Sequence, residues 1–277
     1  MRSPIVCGID RSSHSRAAAR IAIALGRRLG RPVELLHAIR PTGTLPTQAP
    51  LAPAQAVLAE QTDLHDIAVR LETGPASEVL RHSGRRARLT VVGSCGESAE
   101  RAGPVGEVCR ALICDPRGSV LVVPPAGAGS LCGRGIVCGV RDDRDIATAH
   151  AAATLATRLG LELTIAHVVH APSALAAGFG HPDGLRMLER IASAIATNSA
   201  CAIQLQLLHG PPGPLLDRLA AAEGAAMLAV GAPQDEDAVD APSGHLLRYA
   251  ARPVLVGPRL TDVAPRWRRE ALSAIAS

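Results

Sequence analysis

Three glycines, Gly93, Gly96 and Gly106, stand with two and nine residues between them in the stretch VVGSCGESAERAGPVGEV, behind an apolar run and ahead of a helical pattern. Glycine lets the backbone approach an anion closely, and the first turn of a helix leaves N–H groups without partners at its positive end. Such a loop can cradle phosphate; the same spacing also serves a tight strand-to-helix turn that holds nothing. Glu107 follows Gly106 directly, and Glu97 and Glu100 lie inside the loop with Arg101 as a partial counter-charge. A carboxylate accepts hydrogen bonds without donating any, and it repels a triphosphate across a few ångströms.

A second group of polar residues closes the first apolar run. Asp10 follows PIVCGI, and Ser12 and Ser13 come next, where a serine would cap the following helix. His37 and His167 end corresponding runs in the two halves, a position that favours a local hydrogen bond over catalysis; His14 and His150 read as surface residues of helices. The ten histidines show no HExxH pairing, and no G-x-S-x-G elbow occurs.

Composition removes several functions. The formal charge of +4 rests on arginine alone, since the chain has no lysine; a Walker A loop, a kinase strand lysine and Schiff-base chemistry are therefore absent. Phe179, Tyr249 and Trp267 are the only aromatic residues, which excludes stacking platforms for single-stranded nucleic acid. The small positive excess reads as scattered over a solvated surface, so neither nucleic acid nor membrane is an expected partner. Seven cysteines, without a CxxC pair and partly inside apolar runs, indicate a reducing compartment. With no signal-peptide pattern after MRSPIVCGID and no apolar run of about 18 residues, a cytoplasmic location is the expectation.

The elements that must position these residues alternate. Strands are expected over 4–9, 32–39, 66–72, 89–94 and 119–124, with helices over 15–30, about 54–62, 75–86 and about 106–114. Ala18, Ile21, Ala22, Leu25 and Leu29 share one face of the first helix. Continuous apolar strands separated by helices predict a doubly wound α/β fold with a parallel sheet covered on both faces. The second half repeats the first in order and spacing: IVCGID returns as IVCGVR, ETGPASEVL as LHGPPGPLL, LTVVGSCG as MLAVGAPQ. The division expected is one domain over 1–125, a linker over 126–134, a second domain over 135–258 and a basic tail helix over 259–277.

Together, the Gly-x-x-Gly-x9-Gly spacing, the GID that ends strand one, the GPA ahead of the third helix and the closing VLVV resemble the universal stress protein family, in two tandem copies covering nearly the whole chain. The resemblance implies a strand order of 3-2-1-4-5 in each five-stranded domain, with strands one and four flanking the crevice where such sheets bind ligands. It implies that the last strands, SVLVVP and RPVLVG, pair across an internal pseudo-twofold. It also implies ATP or AMP as the ligand of the first half. Asp10, Ser12 and the backbone near Ala38 would hold adenine and ribose, and Gly93, Gly96, Gly106 and Glu107 would line the phosphate loop. Members that bind ATP place Ser or Thr where this chain has Glu107.

The second copy departs further: Arg141 takes the slot of Asp10, Gln234 that of the middle glycine, and Asp235, Glu236, Asp237 and Asp240 make the loop acidic. No nucleotide and no metal are expected there. Two readings stay open: a regulatory stress-response protein whose first half binds an adenine nucleotide, and a nucleotide-independent interaction module of the same fold. A hydrolase is the weakest reading, since no residue is evidently placed to activate water. A partner protein of unidentified kind, and a homodimer beyond the internal pseudo-dimer, are left open by the sequence.

Overall fold

The structure is a computed structural model that describes residues 2–39, 52–61, 66–96, 105–116, 118–124, 131–169, 182–197, 199–233 and 242–260. The loop acids Glu97 and Glu100 with Arg101, the acidic stretch 234–240 and the tail from 261 lie outside the described residues. The first half runs β1 (Ile5–Gly8), α1 (Ser13–Leu29), β2 (Val33–Ile39), α2 (Ala52–Leu58), β3 (Ile67–Thr73), α3 (Ala76–Gly84), β4 (Leu89–Gly93), α4 (Glu107–Cys114) and β5 (Val120–Val123). The second runs β6 (Gly135–Val140), a 3-10 turn (Asp143–Asp145), α5 (Ile146–Leu159), β7 (Glu162–Val169), α6 (Pro182–Ala196), β8 (Ile203–His209), α7 (Pro212–Ala222), β9 (Met227–Gly231), α8 (Pro242–Tyr249) and β10 (Val254–Gly257).

All ten strands form one sheet in the order β3-β2-β1-β4-β5-β10-β9-β6-β7-β8. Within each half every pairing is parallel, giving the 3-2-1-4-5 order twice. The halves join where β10 runs antiparallel to β5, with Val254 opposite Val122 and Val256 opposite Val120. That junction is apolar because all eight residues of VLVV and VLVG are buried. One core lies under α1, α2, α5 and α6 and runs through both halves, joining Ile5, Leu25 and Leu121 to Ile136, Leu163 and Leu255; the other lies under α3, α4, α7 and α8. Each is packed with aliphatic side chains and alanine, as a chain with three aromatic residues requires.

Helix α1 starts at a serine cap. Ser12 is its N-cap, with Oγ accepting from Ser15 N at 3.1 Å, and Gly30 ends it in the left-handed conformation at φ 59°. Ser12→Ala is expected to cost about 1 kcal/mol, read as a lower Cm in urea with an unchanged m-value.

Three cysteines, Cys7, Cys109 and Cys138, are buried, and burial pushes their thiols far above the ordinary range. Iodoacetamide under native conditions should therefore modify exposed Cys132 first and reach these three only on unfolding, as peptide mass mapping would show. Among the described residues, no helix is long and apolar enough to cross a membrane.

Candidate functional site

At the carboxyl end of β1 the chain turns sharply, and the turn is built from its own side chains. Asp10 Oδ1 accepts from Ser12 N at 2.9 Å and from Ser12 Oγ at 2.5 Å, while Ser15 Oγ donates to Asp10 O at 2.8 Å. Ser12 thus caps α1 and fixes the carboxylate at once. His37 Nδ1 lies 2.8 Å from Ile9 O, the local bond expected of a histidine at a strand end.

The glycines come to the same place from β4. A Cβ on Gly93 would stand 2.8 Å from the backbone of His14, and one on Gly96 would stand 2.7 Å from Asp10 Oδ2. Both positions are glycine because the loop runs directly against the start of α1. Gly106 returns to the loop's origin: its N–H donates to Ser94 O at 2.8 Å, and its Cβ position lies 3.5 Å from Gly96 N. Gly106 is the N-cap of α4 and supplies no side-chain hydrogen bond, so the first-turn N–H groups of that helix have no side-chain acceptor from their cap. The structure therefore brings Asp10, Ser12, Gly93, Gly96 and Gly106 together. Glu107 sits exposed in the first turn of α4. Ala38 lies one strand away: Ile9 N bonds Leu36 O at 3.0 Å, which sets Ala38 level with Asp10 across the top of β1 and β2.

The corresponding place in the second half has been rebuilt. Arg141, in the slot of Asp10, donates through Nη2 to Ala232 O at 2.8 Å, and its N–H donates to Asp145 Oδ2 at 2.8 Å. Asp145, fully buried, takes the place of His14 against the strand-four glycine: a Cβ on Gly231 would overlap Asp145 Oδ1 at 2.0 Å. Arg259, just past β10, closes the cluster, with Nε on Asp145 Oδ1 at 2.7 Å and Nη2 on Asp142 Oδ2 at 2.8 Å. Its neighbour Leu260 donates to Arg144 O at 2.9 Å, so residues 259–260 pack back onto the 3-10 turn.

Burial acts to raise the Asp142 pKa, but hydrogen bonds from Arg144 and Arg259 outweigh it and hold the carboxyl at about 2. A folded pKa below the unfolded one stabilises above the unfolded value of about 4, and that contribution is lost as pH falls through about 4 to 2. Asp142→Asn should flatten this part of the acid-unfolding curve, followed by circular dichroism.

Helix α8 differs from α4 as well. It begins at Pro242, so Gly244 lies inside the helix rather than at its cap, and His245 packs on Gly213 and beside Tyr249 with ring centres 5.0 Å apart. Beneath Arg141 remains a small cavity of about 50 Å³ lined by Gly139, Ala166, Val168, Leu216 and Val230, among others. At about 10–15 Å³ per water it holds a few waters rather than a purine. Asp142, Asp145 and Arg259 were not singled out by the sequence; the run RDDRD behind β6 was the available signal. Among the described residues, no group of three or more His, Cys, Asp or Glu side chains is placed to hold a metal.

Comparison with known proteins agrees with this architecture. A family model described as the universal stress protein family matches residues 1–124 and again 134–257. A universal stress protein from Archaeoglobus fulgidus DSM 4304 superposes with a TM-score of 0.67 at 18% identity, covering 94% of this chain and 100% of that one. A protein from Pseudomonas aeruginosa UCBPP-PA14 superposes at 0.57 and 14% identity, covering 99% of this chain and 98% of that one. A search of curated protein sequences finds no match.

Proposed function

Because the chain belongs to the universal stress protein family, we propose that its first half binds an adenine nucleotide, ATP or AMP, at the crevice between β1 and β4, and that the protein has a regulatory role in a stress response. The observation that carries this reading is the convergence of Asp10, Gly96 and Gly106 at a helix start whose cap offers no side-chain acceptor. A phosphate there would take the N–H groups that the cap leaves unserved, aided by the positive end of α4. Asp10, held by Ser12, would accept from ribose or adenine donors, with the backbone at Ala38 flanking the base.

In the second half the same crevice is filled by Arg141, Asp145 and Arg259, and a nucleotide there would have to break that cluster. We assign it no nucleotide. One specific observation favours a second reading, an interaction module that needs no nucleotide: Glu107 places a carboxylate on the first turn of α4, beside the phosphate path.

Equilibrium titration with ATP and AMP, on wild type and on Asp10→Ala, tests the first reading. Saturable binding at one site per chain, weakened at least tenfold in the variant, is the expected result. Absence of binding by the wild type would leave the interaction module standing.

A further inference from the structure

Among the described residues, the ten-stranded sheet ends at β3 on one side and at β8 on the other, and the sequence treats these edges differently. At β3, Arg70 donates to Glu34 at 3.2 Å and to Glu72, and Arg86 donates to the same Glu34 at 2.7 Å. Charged side chains on an edge strand oppose its pairing with another chain. At β8 the edge reads IQLQLLH, seven residues without Asp, Glu, Lys, Arg, Gly or Pro. None of the usual guards against edge pairing is present in that strand.

The phase of the ladder shows which backbone groups face outward. Leu163 is level with Ile203; Leu163 N donates to Ala202 O at 2.9 Å, and Gly210 N donates to Val169 O at 3.1 Å. In a parallel pair this phase turns the N–H and C=O groups of Gln204, Gln206 and Leu208 towards β7, and those of Ile203, Leu205 and Leu207 away from the sheet. Among the described residues no further strand takes up these outward groups. Leu205, at the centre of β8, is 36% exposed. Leu185 on α6 is also exposed, and its neighbour Gly184 packs on Leu207, with a Cβ position 3.1 Å from Leu207 Cδ1. Strand β3 exposes Leu71 too, but between Arg70 and Glu72.

We propose that β8 pairs antiparallel with β8 of a second copy of this chain, about a twofold axis at Leu205. Leu205 then exchanges both backbone hydrogen bonds with its own counterpart, and Ile203 does so with the counterpart of Leu207. The same symmetry sets Gln204 opposite Gln206, so apolar side chains meet apolar ones, amide meets amide, and no like charges face each other. Pairing of β8 with itself closes as a dimer, whereas pairing of β8 with β3 would run on as a filament and meet Arg70 and Glu72. The fold already joins two sheet edges in this way, where apolar β10 runs antiparallel to apolar β5. A contact of one strand lies at the low end of interface size, so the dimer dissociates on dilution. It lies in the other half from the glycine loop and needs no nucleotide.

Sedimentation equilibrium of the full chain, from low to high micromolar concentration, is the test. Wild type should pass from monomer to dimer and stop there, with ATP or without it. Leu205→Lys sets two ammonium groups across the twofold axis and should weaken the dimer at least about tenfold. Leu205→Pro removes an N–H that faces outward and none that bonds β7, and should weaken it by at least about tenfold as well. Far-UV circular dichroism shows that each variant is folded. Leu71→Lys makes the same change at the other edge and should leave the dimer constant within about threefold. A wild type that stays monomeric, oligomers that grow beyond the dimer, unweakened dimers in the folded Leu205 variants, or equal weakening by Leu71→Lys would each overturn the proposal.

Discussion

Arg259→Ala is expected to lower the melting temperature by roughly 6–20 °C. Asp145 is fully buried, and the guanidinium that neutralises it is 10% exposed, so removing Arg259 leaves a carboxylate that water does not reach. Breaking such a pair from one side costs about 3–5 kcal/mol, and for a chain of this size each kcal/mol moves the midpoint by about 2–4 °C. Arg141 moderates the loss, because its N–H stays on Asp145 Oδ2 at 2.8 Å and its guanidinium stands 3.5 Å away. Pairing Arg259→Ala with Asp145→Asn removes the stranded charge and should recover part of the stability. A double variant no more stable than Arg259→Ala alone, in scanning calorimetry, would show that the pair is not what holds this crevice shut.

Glu107→Ser is expected to strengthen ATP binding on the order of thirtyfold. Two effects add. The exposed carboxylate repels phosphate by about 1 kcal/mol per charge pair in water-like surroundings. A hydroxyl in its place donates a hydrogen bond with a net value of about 1 kcal/mol, and about 1.4 kcal/mol is a factor of ten. AMP, with one phosphate, should gain less than ATP. The same substitution removes a carboxylate that the positive end of α4 favours, so the free protein should lose about 0.3–1 kcal/mol of stability. Affinity and stability thus move in opposite directions, which separates a ligand effect from general improvement of the fold. Unchanged ATP affinity in Glu107→Ser would place the phosphates away from α4.

The fold was largely legible in the sequence, because burial on both faces of a parallel strand leaves an apolar run and the duplication prints each run twice. IVCG in β1 and GIVCGV in β6 are such a pair, and both lie at the centres of their halves. The convergence of Asp10, Gly93, Gly96 and Gly106 was legible as well, since they lie on segments that end at adjacent strand tips. The second-half cluster was not. Arg259 and Asp145 are 114 residues apart, and only the return of β10 beside β9 brings them together. Repeat logic did locate Arg141 at the slot of Asp10, but it does not show that Asp145 changes with it. His150, read as a surface residue, is partly buried on α5.

The most direct test of a nucleotide site confined to the first half is to purify the protein without added nucleotide, saturate it with ATP, remove the excess, denature it in acid and count adenine nucleotide per chain, with Gly106→Glu alongside. The expected result is one nucleotide per wild-type chain and none in the variant. Two per chain, or an equal amount in the variant, would contradict it.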